Sequence, residues 1–193
     1  MRCQKRSKKA IQIPQNVSLA ELINSRLDRQ ESPKTAKTIR LLRRVKKSRG
    51  LSKADLEEVC RWKSPRAISL IRQNEPARIR RITKLAFATR DEKKRIALLT
   101  SLRGVGIPMA SAILMLTGPK RYGVIDIRVW QLLYALGSVE SNPRGRFLTS
   151  DNWHEYLMIL RHHAKRLSVT AREVERNLFM YHKRTQRGLL YDR

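Results

Sequence analysis

Two glycines two positions apart, set between two apolar helical runs, constrain this chain most. They lie in Leu102-Arg103-Gly104-Val105-Gly106-Ile107-Pro108. A chain that leaves one helix and enters another within a few residues needs unusual backbone angles, which glycine supplies at low steric cost. Val105, between the glycines, can plug into a core. Pro108 suits the first turn of the second helix. The unpaired N–H groups of that turn carry the positive end of the helix dipole and make an anion site, suited to a phosphate. Arg103 adds a charge beside it. Gly-x-Gly alone is also an ordinary helix–helix turn. A dinucleotide-binding fold is disfavoured, because the preceding segment is helical and not a strand.

Signals for helix starts recur along the chain. Ser18 precedes Leu19, Leu22, Ile23 and Leu27. Ser32-Pro33 pairs a hydroxyl cap with a proline at the first helical position, and Ile39, Leu42 and Val45 follow at helical spacing. Ser52 opens a helix with Leu56, Val59 and Cys60 on one side. Ser64-Pro65 and Glu75-Pro76 repeat the cap-plus-proline pattern, Asp91 caps the helix of Ile96, Leu99 and Leu102, and Thr170 with Glu173 forms a capping box. Gly50 and Gly137 are stops. Strand alternation and internal repeats are lacking. The expected fold is all-α, with about ten short helices. The expected organisation is a basic flexible arm over residues 1–16 and a helical domain over 17–193, with the hairpin in 95–117 and a further helical segment in 124–136.

The formal charge is +27, from 43 basic and 16 acidic residues spread through the chain. That excess opposes compaction by self-repulsion, and a polyanionic partner explains it most simply. Arg40, Arg43, Arg44, Lys46 and Lys47 on one helix are either solvated or in contact with phosphates, and counterion release favours the second. Two cysteines, Cys3 and Cys60, make no disulfide framework and fall short of the four an iron–sulfur cluster needs. The basic N-terminus has no apolar run behind it, and the apolar stretch from Ile107 to Leu116 is too short to span a membrane. A cytoplasmic protein with no membrane partner is expected. No metal site is read: His154-Glu155 opens like a zinc-protease motif, but the fourth position on is Met158.

Asp126 opens the segment Asp126-Ile127-Arg128-Val129-Trp130, about twenty residues beyond the hairpin. Read from spacing alone it is a helix cap, since aspartate is favoured there on backbone grounds. Together, the hairpin and this segment resemble the helix-hairpin-helix base-excision DNA glycosylases. The family hairpin reads Leu-Pro-Gly-Val-Gly, and Leu102-Arg103-Gly104-Val105-Gly106 matches four of its five positions. Ile125-Asp126 resembles the family's Val-Asp. The Asp126 and Trp130 spacing is most like the oxoguanine and endonuclease III-like members, although Arg128 stands where the oxoguanine branch has histidine. The match covers roughly residues 95–136.

This resemblance implies a two-lobed helical domain that binds double-stranded DNA containing a modified base, acts as a monomer, and is nucleoid-associated if prokaryotic. It implies a catalytic role for Asp126, whose carboxylate would stabilise the oxocarbenium charge on the deoxyribose as the base leaves. DNA contacts would come from Arg103, Gly104, Val105, Gly106, Ile107, Lys63 and Arg128. Trp62, Trp130, Trp153 and Tyr156 are candidates for a base pocket or a gap-filling wedge; for each, core packing is the competing role. No cofactor is implied beyond a structural monovalent cation at the hairpin. Bifunctional members carry a lysine two residues after the second hairpin glycine, where this chain has Pro108. Proline cannot form the Schiff base of lyase chemistry, so a monofunctional glycosylase is expected. Two other functions fit the charge: a DNA-binding module without catalysis, and an RNA- or ribosome-associated protein.

Overall fold

Local capping chemistry starts most of the helices. The computed structural model describes residues 17–25, 30–45 and 50–185; the expected arm, Cys3, Leu27, Lys46 and Lys47 lie outside the described residues. Helix α1 spans Leu19–Ser25, after Ser18 accepts from the Glu21 N–H at 3.2 Å. Helix α2, Pro33–Arg43, is capped by Ser32. Helix α3, Lys53–Lys63, begins with a reciprocal box between Ser52 and Asp55. The Ser64-Pro65 signal differs from expectation. Ser64 makes no side-chain cap, and Pro65–Ala67 is a 3-10 turn leading into α4, Ile68–Arg72. Helices α5, Pro76–Ala88, and α6, Glu92–Thr100, follow, the second capped by Asp91.

Helix α7, Ile107–Thr117, is buried from Met109 onward. It is the central element and packs against α2, α3, α6 and the later α9. Helix α8 is Ile127–Ala135, α9 is Ser150–Arg166 and α10 is Ala171–Thr185. Among the described residues the fold is all-α, with no strand, and no helix is long and apolar enough to cross a membrane. Helices α2 to α7 form one group. Helices α8, α9 and α1 gather around α10 in a second. One apolar core runs through both and includes Trp130, Trp153, Leu99 and Ile113.

Polar ties also join the two groups. Buried Arg95 donates to the Ala86 carbonyl at 2.9 Å and to Tyr122 Oη at 2.8 Å, and also bonds Thr89 and Glu92. Glu92 in turn accepts from Arg161 of α9 at 2.7 Å. Burial works against the Glu92 charge, but the bonds and charges of Arg161 and Arg95 outweigh it and hold the carboxyl below its ordinary range.

Gly104 has φ +79, and a Cβ there would stand 2.9 Å from Leu70 Cβ and 3.2 Å from the Ile71 backbone nitrogen. Glycine is required both by conformation and by space. Gly104→Ala is expected to destabilise the protein by about 3 kcal/mol, from left-handed strain and collision with α4 together; thermal or urea unfolding measures the loss.

Candidate active site

The hairpin, the Asp126 cap and the 138–149 loop converge on one open cleft of about 740 Å³. It is lined on one side by Lys63, Ser64, Arg66 and Ala67. Gly104, Gly106, Ile107, Pro108 and Met109 form the second side, and Asp126 to Arg128 with Gly145 to Leu148 the third.

The hairpin wall is built by long-range bonds. Asn74, buried between α4 and α5, accepts from the Arg103 N–H at 2.9 Å and donates to the Arg103 carbonyl at 2.9 Å. The Val105 N–H turns back to the Leu102 carbonyl at 3.1 Å. Gly106 then caps α7, whose first turn contains Pro108 and presents N–H groups with no partner one turn earlier. Two of the expected hairpin contacts are placed away from the cleft. Val105 is buried and serves as the core plug, so its side chain cannot meet DNA. Arg103 is exposed on the outer face, where it donates to Gln73 at 2.8 Å.

Asp126 caps α8 with one oxygen. Its Oδ1 accepts from the Arg128 N–H at 3.0 Å and the Val129 N–H at 3.2 Å. Its Oδ2 lies 3.6 Å from Lys63 Nζ, with the two side chains 19% and 17% exposed. The segment leading to it is held from both groups of helices. The Ile125 N–H donates to Ser111 Oγ of α7 at 3.1 Å, and Tyr156 Oη of α9 donates to the Val124 carbonyl at 2.9 Å. Gly123 lets this segment run close to α9 and α10, since a Cβ there would meet Leu160 Cδ1 at 2.5 Å and Glu175 Cβ at 2.7 Å.

The expected aromatic pocket is corrected. Trp153 and Tyr156 are fully buried, the first stacked on Tyr122 at 6.5 Å; neither lines the cleft. Trp130 is fully buried too, and donates to the Ser141 and Asn142 carbonyls at 3.3 and 3.0 Å. Trp62 turns inward, donating to Thr35 Oγ1 at 3.1 Å beneath the Arg172 guanidinium. Each ring is held by burial, and for Trp62, Trp130 and Tyr156 by a hydrogen bond from the polar edge as well. Cys60 likewise packs inside, with its thiol directed at the Ser64 carbonyl at 3.3 Å, and burial pushes its pKa up.

The aromatic at the cleft is Phe147, which the sequence reading passed over. Its side chain is 95% exposed and its backbone has φ +51. A local signal was available: Asn142-Pro143-Arg144-Gly145-Arg146-Phe147 is a turn-rich basic stretch ending in an aromatic. Lys63 was read only as a DNA contact, and its place beside Asp126, sixty-three positions later, could not be read from local pattern.

No protein-family model and no curated protein sequence matches this chain. Among solved structures it is similar to the 8-oxoguanine glycosylase/lyase of Methanocaldococcus jannaschii in complex with a 15mer DNA containing 8-oxoguanine. That likeness has a TM-score of 0.48 and 18% identity, over 88% of this chain and 82% of the other.

Behind Asp126, fully buried His182 has its Nδ1 3.4 Å from Arg128 Nη1. Burial and then the Arg128 charge press its pKa down to about 4, from an ordinary 6.5. The unfolded chain therefore takes up this proton more readily than the folded one. Its contribution to stability is complete above pH 6.5 and is lost as pH falls through about 4. The expected loss is roughly 3 kcal/mol. Unfolding followed from pH 7 to 4 is expected to show it, and His182→Gln is expected to flatten that part of the profile.

Proposed function

We propose that the protein is a DNA N-glycosylase that removes a modified base from duplex DNA. The observation that carries this reading is the divided carboxylate of Asp126. One oxygen is committed to the helix cap, while the other borders an open cleft opposite a helix N-terminus. A carboxylate fixed in this way needs no reorganisation to stabilise a growing oxocarbenium charge on a deoxyribose. The cleft volume of about 740 Å³ is within the range of small-molecule sites and suits an extruded nucleotide. Lys63, Arg66, Arg128 and Arg146 line it against the single acid Asp126, a balance suited to the phosphates that flank such a nucleotide.

Asp126 stabilises the sugar as the glycosidic bond breaks, and the base leaves with the bonding electrons. Pro108 has no amine, so a water molecule completes base release at C1′. Phe147 stands at the rim, apolar, exposed and flanked by Arg146. That suits an aromatic wedge, which enters the stack and fills the space that the extruded nucleotide vacates.

The test measures free base by mass spectrometry after incubation with duplexes that each carry one modified base. Release is expected for at least one duplex, and Asp126→Asn is expected to lose it while keeping duplex affinity, because asparagine caps helices as well as aspartate. Tight binding with no base released across a broad panel would favour the DNA-binding module. Structured RNA outcompeting duplex DNA would favour the RNA-associated protein. Phe147→Ala is expected to weaken extrusion roughly tenfold, the scale of one lost stacking contact, as read by fluorescence of a 2-aminopurine placed opposite or beside the modified base.

A further inference from the structure

We propose that the protein holds a second segment of duplex DNA by its backbone, in the basic cleft that Arg43 and Arg44 of α2 form with Lys120 and Arg121 of the loop after α7. The inference rests on the Asp126 cleft being a DNA site, but not on the chemistry carried out there.

This second cleft has a volume of about 680 Å³ and is lined by those four cations with Thr117, Gly118 and Pro119. No acidic side chain lines it. Arg44 lies 3.7 Å from Asp55 and Arg121 3.4 Å from Glu92, with the two arginine side chains 68% and 64% exposed. Contacts this long leave both guanidinium groups open to a further anion. Arg40 and Lys37, exposed one and two turns before Arg44 on the same face of α2, prolong the cleft into a cationic track. The carboxyl ends of α2 and α7 favour positive charge nearby, but that preference fades within the last turn and does not reach Lys37. The other polar groups of the cleft are already engaged. Thr117 Oγ1 donates inward to the Ile113 carbonyl at 2.8 Å. The Pro119 and Lys120 carbonyls accept from the Arg172 and Ala171 N–H groups, each at 3.2 Å. What remains for a ligand is chiefly positive charge, which suits the phosphates of a backbone more than base edges.

The two clefts lie at opposite ends of one pair of helices. Helix α7 runs from Ile107 in the first cleft to Thr117 in the second. Helix α3 runs the other way: Asp55, in its first turn, meets Arg44, and Lys63, its last residue, meets Asp126. Each helix has 11 residues and is about 16 Å long. Helix α7 is buried from Met109 to Thr117, so core stands between the clefts. DNA is stiff over about 150 base pairs, and a straight duplex seated against Asp126 leaves Lys120 uncovered. The second cleft is therefore free to take a different segment while the first is occupied. A molecule anchored in this way tests the nucleotides of one segment without leaving the other, and passes between segments without release into solution.

The test uses the full chain and short unmodified duplexes, so that it does not depend on base recognition. Sedimentation velocity counts duplexes per protein molecule, and beads carrying one duplex report retention of a second, fluorescent one. The wild-type protein is expected to take up two duplexes per molecule and to retain the fluorescent duplex, with retention falling steeply as salt rises. Arg43→Glu combined with Lys120→Glu is expected to take up one duplex and to lose retention roughly tenfold, with circular dichroism unchanged. Arg43→Gln with Lys120→Gln is the milder pair, should charge reversal disturb α2. It is expected to lower the log–log salt slope of the second binding step by about 2, at about 0.9 for each phosphate contact removed. Arg66→Gln with Arg146→Gln, in the Asp126 cleft, is expected to weaken the first duplex and spare the second. One duplex per wild-type molecule, two duplexes held only by two protein molecules together, or an unaltered second step in both Arg43 and Lys120 pairs would overturn the proposal. Structured RNA displacing the duplex from the second cleft alone would overturn it as well. One duplex per molecule with release of a modified base would overturn it while leaving the glycosylase standing. Two duplexes per molecule with no base released on any duplex would uphold it and remove the glycosylase.

Discussion

In the proposed function, the carboxylate of Asp126 has two tasks, the helix cap it makes and the stabilisation of charge on a sugar, and the arrangement around it bears on both. As a cap it must have its oxygen near the first free N–H groups of α8, which fixes its rotamer and leaves Oδ2 pointing one way. A free surface aspartate would sample several rotamers, and a carboxylate pinned by two backbone donors does not. Capping is therefore part of preorganisation and not an alternative to it. Ser111 and Tyr156, which hold the strand of chain just before it, transmit the positions of α7 and α9 to the same side chain. The cleft geometry depends on both groups of helices because its acid is clamped between them.

A charged network lies behind the cleft. Arg172 of α10 bonds Glu31 at 2.8 Å and also Glu175, and lies over the Trp62 ring. Burial pulls against the Arg172 charge, but Glu175 and Glu31 outweigh it and hold the guanidinium firmly protonated. For Glu175 the balance goes the other way: burial dominates and pushes its pKa up, despite Arg172, with the nearby Asp126 charge adding to the rise. Buried pairs of this kind seldom add net stability over apolar packing, while breaking one strands a charge. Their effect here is positional. They tie α10 to the segment before α2 and to Trp62, the residue next to Lys63, so the lysine side of the cleft is fixed from behind.

Helix starts were legible because capping is local chemistry: Ser32, Ser52, Asp91 and Thr170 each act within three residues of themselves. The hairpin was legible for the same reason, since Gly104, at φ +79, answers a local backbone demand; Gly106, at φ −86 and ψ 177, sits in extended backbone that any residue adopts, so the expectation of unusual angles held for one glycine of the two. The cleft walls were not. Asn74 reaches Arg103 across 29 positions, and Lys63 reaches Asp126 across a still longer interval. Neither pairing leaves a periodic trace. The tryptophans misled for a physical reason. A ring suited to stacking on a base is equally suited to the core, and in Trp130, Trp153 and Tyr156 the polar edge finds a carbonyl or the ring a neighbour inside. Ser64 failed as a cap because the chain turns there too tightly for an α-helical first turn, which carries it around from Lys63 toward the hairpin.

Phe147 is held in place by the helix that Asp126 caps. A non-glycine residue at positive φ costs about 1–3 kcal/mol, and a phenyl ring left in water recovers none of that by burial. The strain persists because the loop before it is bound to α8. Trp130 takes the Ser141 and Asn142 carbonyls, Gln131 donates to the Arg144 carbonyl at 3.0 Å, and Asn142 spans the turn to the Arg146 carbonyl at 2.7 Å. Gly145, at φ +60, passes so close to α8 that a Cβ would stand 3.2 Å from the Ile127 carbonyl. One nine-residue helix therefore sets the acid at its N-terminus and, through its Trp130 and Gln131 side chains, the exposed ring at the rim. A displacement of α8 would move both together, so the distance between the charge that would act on the sugar and the ring that would fill the stack is set by covalent geometry and four polar contacts.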